Sequence, residues 1–317
     1  MRALIYGGGA VGLGLASCLL KSRAHVDIVA RENTVRALRE NGLIRTGIFG
    51  DYRADSTSFG SVSSLKLLPG TGYDFILVCI KSFDSSGAAQ DLSRHTSLFS
   101  NTARIVLFQN GWGNAETFLP VFDKDIIYNA RVITGFRRRR PNEVEVTVHA
   151  EAIHIGSLFG ASVAAVADLA EAIDAGGIPC ETTTKIGRDI WAKMLYNCAL
   201  NPVGAVLEVT YGELAGQKSS RMFLDGIIEE AFNVMTRAGY ETHWDSAKGF
   251  LDVFYSKLVP DTAGHKSSML QDISAKKQTE IDALNGAVIE LAEHFAIPVP
   301  YNSVAYNLVK FIEAASR

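Results

Sequence analysis

The stretch RALIYGGGAVGLGLASCLLKS, residues 2–22, decides the fold. Residues 2–6 make a short apolar strand, the run from Gly7 to Gly12 makes a turn, and LGLASCLLKS has the apolar spacing of a helix. HVDIVAR (25–31) supplies a second strand. Strand, glycine turn, helix and strand thus follow one another within about 30 residues, the setting in which a G-x-G-x-x-G string holds a dinucleotide. Gly7 permits the tight turn, Gly9 lets the backbone approach a pyrophosphate, and Gly12 lets helix and strand pack closely. With Gly8, Ala10 and Val11 they form the expected cofactor loop, the phosphates resting on the helix N-terminus, whose unpaired N–H groups and dipole attract anions.

The residue closing the second strand sets the choice of dinucleotide. An acidic residue there holds a ribose 2′-hydroxyl, whereas an arginine accommodates a 2′-phosphate. Here it is Arg31, followed by Glu32, and the arginine fork favours NADPH/NADP. Further βα units follow in YDFILVCIKS (73–82), which ends near Lys81, and ARIVLFQNGWGN (103–114), which ends near Asn110 and Gly111. Ligands of such sheets bind at the carboxyl ends of the strands, so Lys81 and Asn110 are expected to meet cofactor or substrate.

Composition excludes several other classes. The chain has 317 residues, 47% hydrophobic and 21% charged, with a net charge of −3. That describes a two-domain globular protein with no charge-driven attraction to nucleic acid or a membrane surface. No apolar run nears the ~20 residues of a membrane-spanning helix. The four cysteines, Cys18, Cys79, Cys180 and Cys198, lie far apart with no C-x-x-C pair, as in a reduced, cytoplasmic protein. No histidine or cysteine cluster has ligand spacing, so no metal is expected. RRRR (137–140) before Pro141 reads as a solvated hairpin turn rather than a nucleic-acid patch.

After CETTTK (180–185) the strand pattern stops, which places a domain boundary near 183: a nucleotide-binding domain over 1–183 and a helical domain over 184–317. Helices are expected over 188–200, roughly 213–240, 242–258, 267–295 and 302–315, with Pro202, Pro260, Pro298 and Pro300 at or beyond their ends. The fold class is therefore α/β, a Rossmann-type doubly wound sheet followed by an all-helical domain. In DIWAKMLYNCALNP (189–202), Lys193, Asn197 and Asn201 recur every four residues. Each step of four turns a helix by only about 40°, so they share one polar stripe between apolar neighbours. Ser268, with Gln271 three residues on, has the spacing of a capping box. Lys276 and Glu280 have the spacing of a helix-surface ion pair.

GGGAVG, CIKS, QNGWGN, WAKMLYNCALNP and SSMLQDISAKKQTEIDALNG together resemble the ketopantoate reductase family, the NADPH-dependent 2-dehydropantoate 2-reductases, nearly from end to end. The resemblance implies Lys193 as proton donor, with Asn197, Asn201 and Ser268 on the substrate and Glu280 and Asn110 organising cofactor and substrate. A lysine partly desolvated among Trp, Met and Leu would have its pKa lowered toward the working range. Two substrate-side positions depart from the family pattern: His265 stands for an asparagine in N-x-S-S, and Tyr211 for the asparagine of N-G-E-L. The resemblance thus implies a small 2-oxo acid as substrate, either 2-dehydropantoate or another branched or bulkier one. A 3-hydroxy acid dehydrogenase and a non-catalytic NADP sensor are the other readings. An α/β sheet beside a helical domain is expected to form a cleft where cofactor and substrate meet, and the resemblance alone suggests a homodimer through the helical domain.

Overall fold

A computed structural model of the chain describes residues 1–68 and 70–315. In the first strand, β1 (Arg2–Tyr6), successive side chains enter different cores: Ala3 and Ile5 pack with Leu13, Leu15 and Leu19, whereas Leu4 packs with Ile76, Leu92 and Phe118. A strand buried on both faces belongs in the middle of a parallel sheet covered on both sides.

The chain divides into two compact units, Met1–Gln109 with Asn114–Ile186, and Asn110–Gly113 with Gly187–Arg317. The first runs through β1, α1 (Ala10–Lys21), β2 (His25–Val29), α2 (Glu32–Asn41), β3 (Leu43–Gly47), β4 (Tyr52–Ala54), β5 (Gly60–Val62), β6 (Tyr73–Val78), α3 (Ser85–Ser93) and β7 (Phe99–Leu107). It continues with β8 (Ile127–Arg131), β9 (Thr134–Arg140), β10 (Glu143–His149), β11 (Ile153–Gly156), α4 (Ala167–Ala175) and β12 (Cys180–Thr182). Eight strands form one sheet in the order β12-β11-β8-β7-β6-β1-β2-β5. All its pairs are parallel except β8 with β11. A second sheet, β4-β3-β10-β9, lies outside the sequence expectation. The four arginines 137–140 sit inside β9, not in the hairpin turn, and Arg137 and Arg139 both reach Glu145 on β10 at 2.7 Å.

The second unit holds α5 (Ile186–Leu207), α6 (Tyr211–Gly216), α7 (Lys218–Arg237), α8 (Ala247–Val253), the short α9 (Val259–Asp261), α10 (Ser268–Ser274), α11 (Asn285–His294) and α12 (Pro300–Ala315). Its makeup differs from the expected 184–317 in two respects: residues 184–186 belong with the first unit, and residues 110–113, the middle of QNGWGN, belong with the helices. The single helix expected over 267–295 is two helices with a break. α10 ends at Ser274, Lys276 takes a left-handed conformation (φ +52°), and its N–H and that of Lys277 bond back to Ile273 and Asp272 at 2.9 and 2.8 Å. This is a Schellman ending with lysine where glycine is usual. Lys276 and Glu280 therefore share no helix face.

Pro202 is also not a helix breaker here. It lies inside α5, where its ring removes the N–H that Cys198 C=O would accept. Asn285, wholly buried on α11, supplies the replacement: its Nδ2 donates to Cys198 O at 3.0 Å and to Asn302 Oδ1 at 3.0 Å. A buried carbonyl left without a donor costs about 1–3 kcal/mol. Asn285→Leu is thus expected to lower the unfolding free energy by about that much in urea titrations. Adding Pro202→Ala should recover part of the loss, because the new amide can donate to Cys198. A double variant no more stable than Asn285→Leu would show that the side chain has no such role.

Candidate active site

In the first unit the glycine loop is shaped by close approach. Gly7 has φ +121°, and a Cβ on Gly12 would lie 2.0 Å from Gly7 O. α1 starts at Ala10 with Gly9 as N-cap, no capping side chain and no acidic residue in its first turn. Nothing approaches the Cβ position of Gly9 closer than 3.8 Å. A helix end of this kind, with its donors uncapped and no carboxylate nearby, suits a pyrophosphate. Arg31 follows β2 by two residues, is exposed, and is the N-cap residue of α2. Lys81 is half-buried just beyond β6, and its carbonyl accepts from Gln109 Nε2 at 3.3 Å. Gln109 also donates to Ser85 Oγ at 2.7 Å, so the carboxyl ends of β6 and β7 are tied together. Gly7, Gly8, Gly9, Ala10, Val11, Gly12, Arg31 and Lys81 are all in this unit, and these residues fit a dinucleotide.

In the second unit, α5 carries Lys193, Asn197 and Asn201 on one stripe. Lys193 is half-buried; the two asparagines are buried. Lys193 Nζ donates to Asn110 Oδ1 at 2.6 Å, and Asn110 Nδ2 donates to Glu280 Oε2 at 3.2 Å. One amide thus links a cation to a buried carboxylate. Its orientation is forced: only NH₂ can face the carboxylate, so only C=O can face the ammonium. Glu280 comes from the break between α10 and α11 and is held by its neighbours. The Thr279 N–H donates to Glu313 Oε1 at 2.6 Å, and Thr279 Oγ1 accepts from the Ile281 N–H at 3.2 Å.

Asn110 reaches this place because the segment behind it is pinned. The Trp112 N–H donates to Ala283 O at 2.9 Å. Gly111 has φ +95°, and a Cβ there would lie 2.4 Å from the same carbonyl. The Trp112 ring packs on Trp191 and Tyr240 at centroid distances of 4.9 and 4.6 Å. An aromatic cluster and a close glycine were invisible in a motif that reads as an ordinary turn.

The substrate-side residues are only partly assembled. Asn201 Oδ1 accepts from the Tyr211 hydroxyl at 2.7 Å, and the buried Tyr211 ring lies 5.3 Å from the His265 ring. Burial pushes the Tyr211 phenol well up and the His265 imidazole down, so both are neutral near pH 7. Asn197 faces along the same stripe. Ser268, expected as N-cap, is instead the exposed first residue of α10. The cap is Ser267, whose Oγ accepts from the Leu270 N–H at 3.0 Å and donates to Asn201 O at 3.2 Å. Burial decides between the two serines, since only Ser267 can reach α5. Among the described residues no three His, Cys, Asp or Glu side chains are grouped to hold a metal ion, and no helix is long and apolar enough to cross a membrane.

The pinned segment has a spectroscopic consequence. Gly111→Ala forces an L-residue into positive φ, a strain of about 1–2 kcal/mol, and drives its Cβ into Ala283 O. We expect lowered thermal stability together with red-shifted tryptophan emission as the buried Trp112 ring loosens. Unchanged emission and stability would show that the segment tolerates the side chain.

Comparison with known proteins identifies the family. Residues 3–160 match the family described as Ketopantoate reductase PanE/ApbA, and residues 185–313 match its C-terminal domain. A 2-dehydropantoate 2-reductase from Aquifex aeolicus is 31% identical over 311 residues, 98% of this chain and 96% of that protein. A crystal structure of a PanE/ApbA family ketopantoate reductase from Ralstonia eutropha JMP134 has a TM-score of 0.85 at 27% identity, covering 100% of this chain and 99% of that one. A D-mandelate dehydrogenase solved with NADH and anilino(oxo)acetate shares the fold, with a TM-score of 0.89 at 22% identity, covering 100% and 99%. With both of its units matched in order, the chain belongs to the ketopantoate reductase family.

Proposed function

We propose that this protein reduces 2-dehydropantoate to pantoate with NADPH, using Lys193 as the proton donor. The observation that carries the reading is the chain of contacts from Lys193 through Asn110 to Glu280. A nicotinamide cofactor, when bound, would supply hydride to the C2 carbonyl carbon, and Arg31 would favour its phosphorylated form. Negative charge then builds on the carbonyl oxygen, and Lys193 Nζ delivers a proton there, giving the hydroxyl. Asn110 accepts one N–H of the ammonium and so sets where Lys193 Nζ lies. Glu280 fixes the Asn110 amide and so orients the lysine. Asn197, Asn201 and Ser268 hold the substrate's polar groups, and Lys81 and Asn110 contribute to the cofactor side. A homodimer through the helical unit is supported by Val304, Leu308 and Phe311, exposed along one face of α12.

A second reading, reduction of a different 2-oxo acid, is favoured by one contact. The Tyr211 hydroxyl occupies the Asn201 side-chain carbonyl, in the sequence position where the family's asparagine stands. A site built to bind one polar group discriminates strongly against substrates lacking its complement.

NADPH oxidation should be followed with 2-dehydropantoate beside a panel of branched and aromatic 2-oxo acids. Lys193→Ala is expected to lower kcat by roughly 10²- to 10⁴-fold on the best substrate while NADPH still binds; near-normal turnover would remove the lysine from the mechanism. Asn110→Ala is expected to lower kcat by roughly ten- to hundredfold, the worth of one charge-assisted hydrogen bond. Turnover of a bulkier acid alone would select the second reading.

A further inference from the structure

Four consecutive arginines are not explained by reductase chemistry. In β9 a register shift falls between Arg138, opposite Val144, and Arg140, opposite Glu143, and the run divides between two faces of the small sheet. Arg137 and Arg139 share the face of Glu145 and pair with it. Arg140 lies 3.7 Å from Glu143. Arg138 falls on the other face with Phe136, whose ring packs over Gly14 of α1. That face looks toward the helices that flank the nucleotide loop.

Arg138 has no carboxylate partner among the described residues. Its Nη2 donates to Thr34 Oγ1 at 2.6 Å and to Pro141 O at 2.9 Å, and its Nε to Arg140 O at 3.4 Å. Nη1 makes no hydrogen bond among the described residues. Thr34 is buried in the first turn of α2, its N–H bonded to Arg31 O at 2.8 Å and its methyl beside Gly8. Arg138 is therefore anchored within one helical turn of Arg31, on a threonine whose methyl touches the glycine loop. Partial burial, and then the Arg31 cation, both pull its pKa down. Arg31 likewise lacks a carboxylate partner among the described residues. Two cations held together without an anion suit a dianionic ligand that binds both.

We propose that Arg138 is a second ligand of the 2′-phosphate of NADPH, gripping it together with Arg31 and setting the preference for NADPH over NADH. The position fits, since the residue after β2 is where an adenosine ribose 2′-group lies in this type of sheet. The fixed fork of Arg138, held through Nη2, leaves Nη1 to donate to a phosphate oxygen. This rests on the NADPH reading above and adds to it the residue that enforces it.

The test is equilibrium binding, read by calorimetry and by NADPH fluorescence, with 2′,5′-ADP and 5′-AMP as fragment probes. Arg138→Met is expected to weaken NADPH and 2′,5′-ADP by roughly ten- to hundredfold while NADH and 5′-AMP change by less than roughly twofold. Arg138→Lys keeps the charge without the fork and should recover part of the loss. Arg139→Met, which removes an exposed partner of Glu145, is the control and should leave all four affinities unchanged. Equal weakening of both cofactors, or no weakening, would overturn the role of Arg138 while leaving NADPH as cofactor. A wild-type protein that binds 5′-AMP as tightly as 2′,5′-ADP would overturn the NADPH preference and this role together. Reduction of a 2-oxo acid with NADH would in that case still stand as the activity.

Discussion

A buried carboxylate and a half-buried ammonium need hydrogen-bond partners within the fold, and here both meet the same amide. Asn110 accepts from Lys193 and donates to Glu280, so each charge fixes one end of the same group. Removing either charge would take away one of the bonds that orient the amide, and removing the amide would take a hydrogen bond from both ions. Much else follows from the need to bring that asparagine in. The chain leaves the sheet after β7, contributes four residues to the helical unit and returns. Gly111 and Ala283 form the joint that makes this possible, and the Trp112, Trp191 and Tyr240 rings cover it.

The same economy of polar groups runs through the helical unit. Pro202 denies Cys198 its helical donor, and Asn285 provides one from another helix. Asn302 in turn accepts from Asn285 and donates to Ile227 O and Glu230, which ties α5, α7, α11 and α12 through buried amides. Ser267 caps α10 and also donates to Asn201 O. Such contacts hold the Lys193 stripe in register, because α5 cannot shift along its axis without breaking bonds to three other elements. Rigid support of this kind keeps Lys193 Nζ in a fixed place, which the role proposed for it requires.

On the nucleotide side, the small sheet β4-β3-β10-β9 has a comparable role. It packs Phe136 against α1 and carries Arg138 to α2, while its other face is stitched by ion pairs to Glu145. Exposed pairs of that kind add little stability. Their consequence here is to sort four like charges, occupying three with carboxylates and leaving the fourth beside Arg31.

The glycine loop, the parallel strands and the polar stripe of α5 were legible in the sequence, because each depends on helical spacing or on a short continuous apolar run bounded by turn residues. Gly7, Gly12 and Lys193 signal themselves. Tertiary structure alone decided where α10 ends, because Lys276 adopts the left-handed conformation that a glycine would have announced. It decided that Ser267 rather than Ser268 is the cap, since only contact with α5 separates the two hydroxyls. It kept α5 running through Pro202, because the missing hydrogen bond is replaced by a residue 87 positions from Cys198. And it joined Asn110 to Lys193 and Glu280, 83 and 170 positions away. Local sequence encodes backbone preference; partners for buried polar groups are found across the fold, where no local pattern records them.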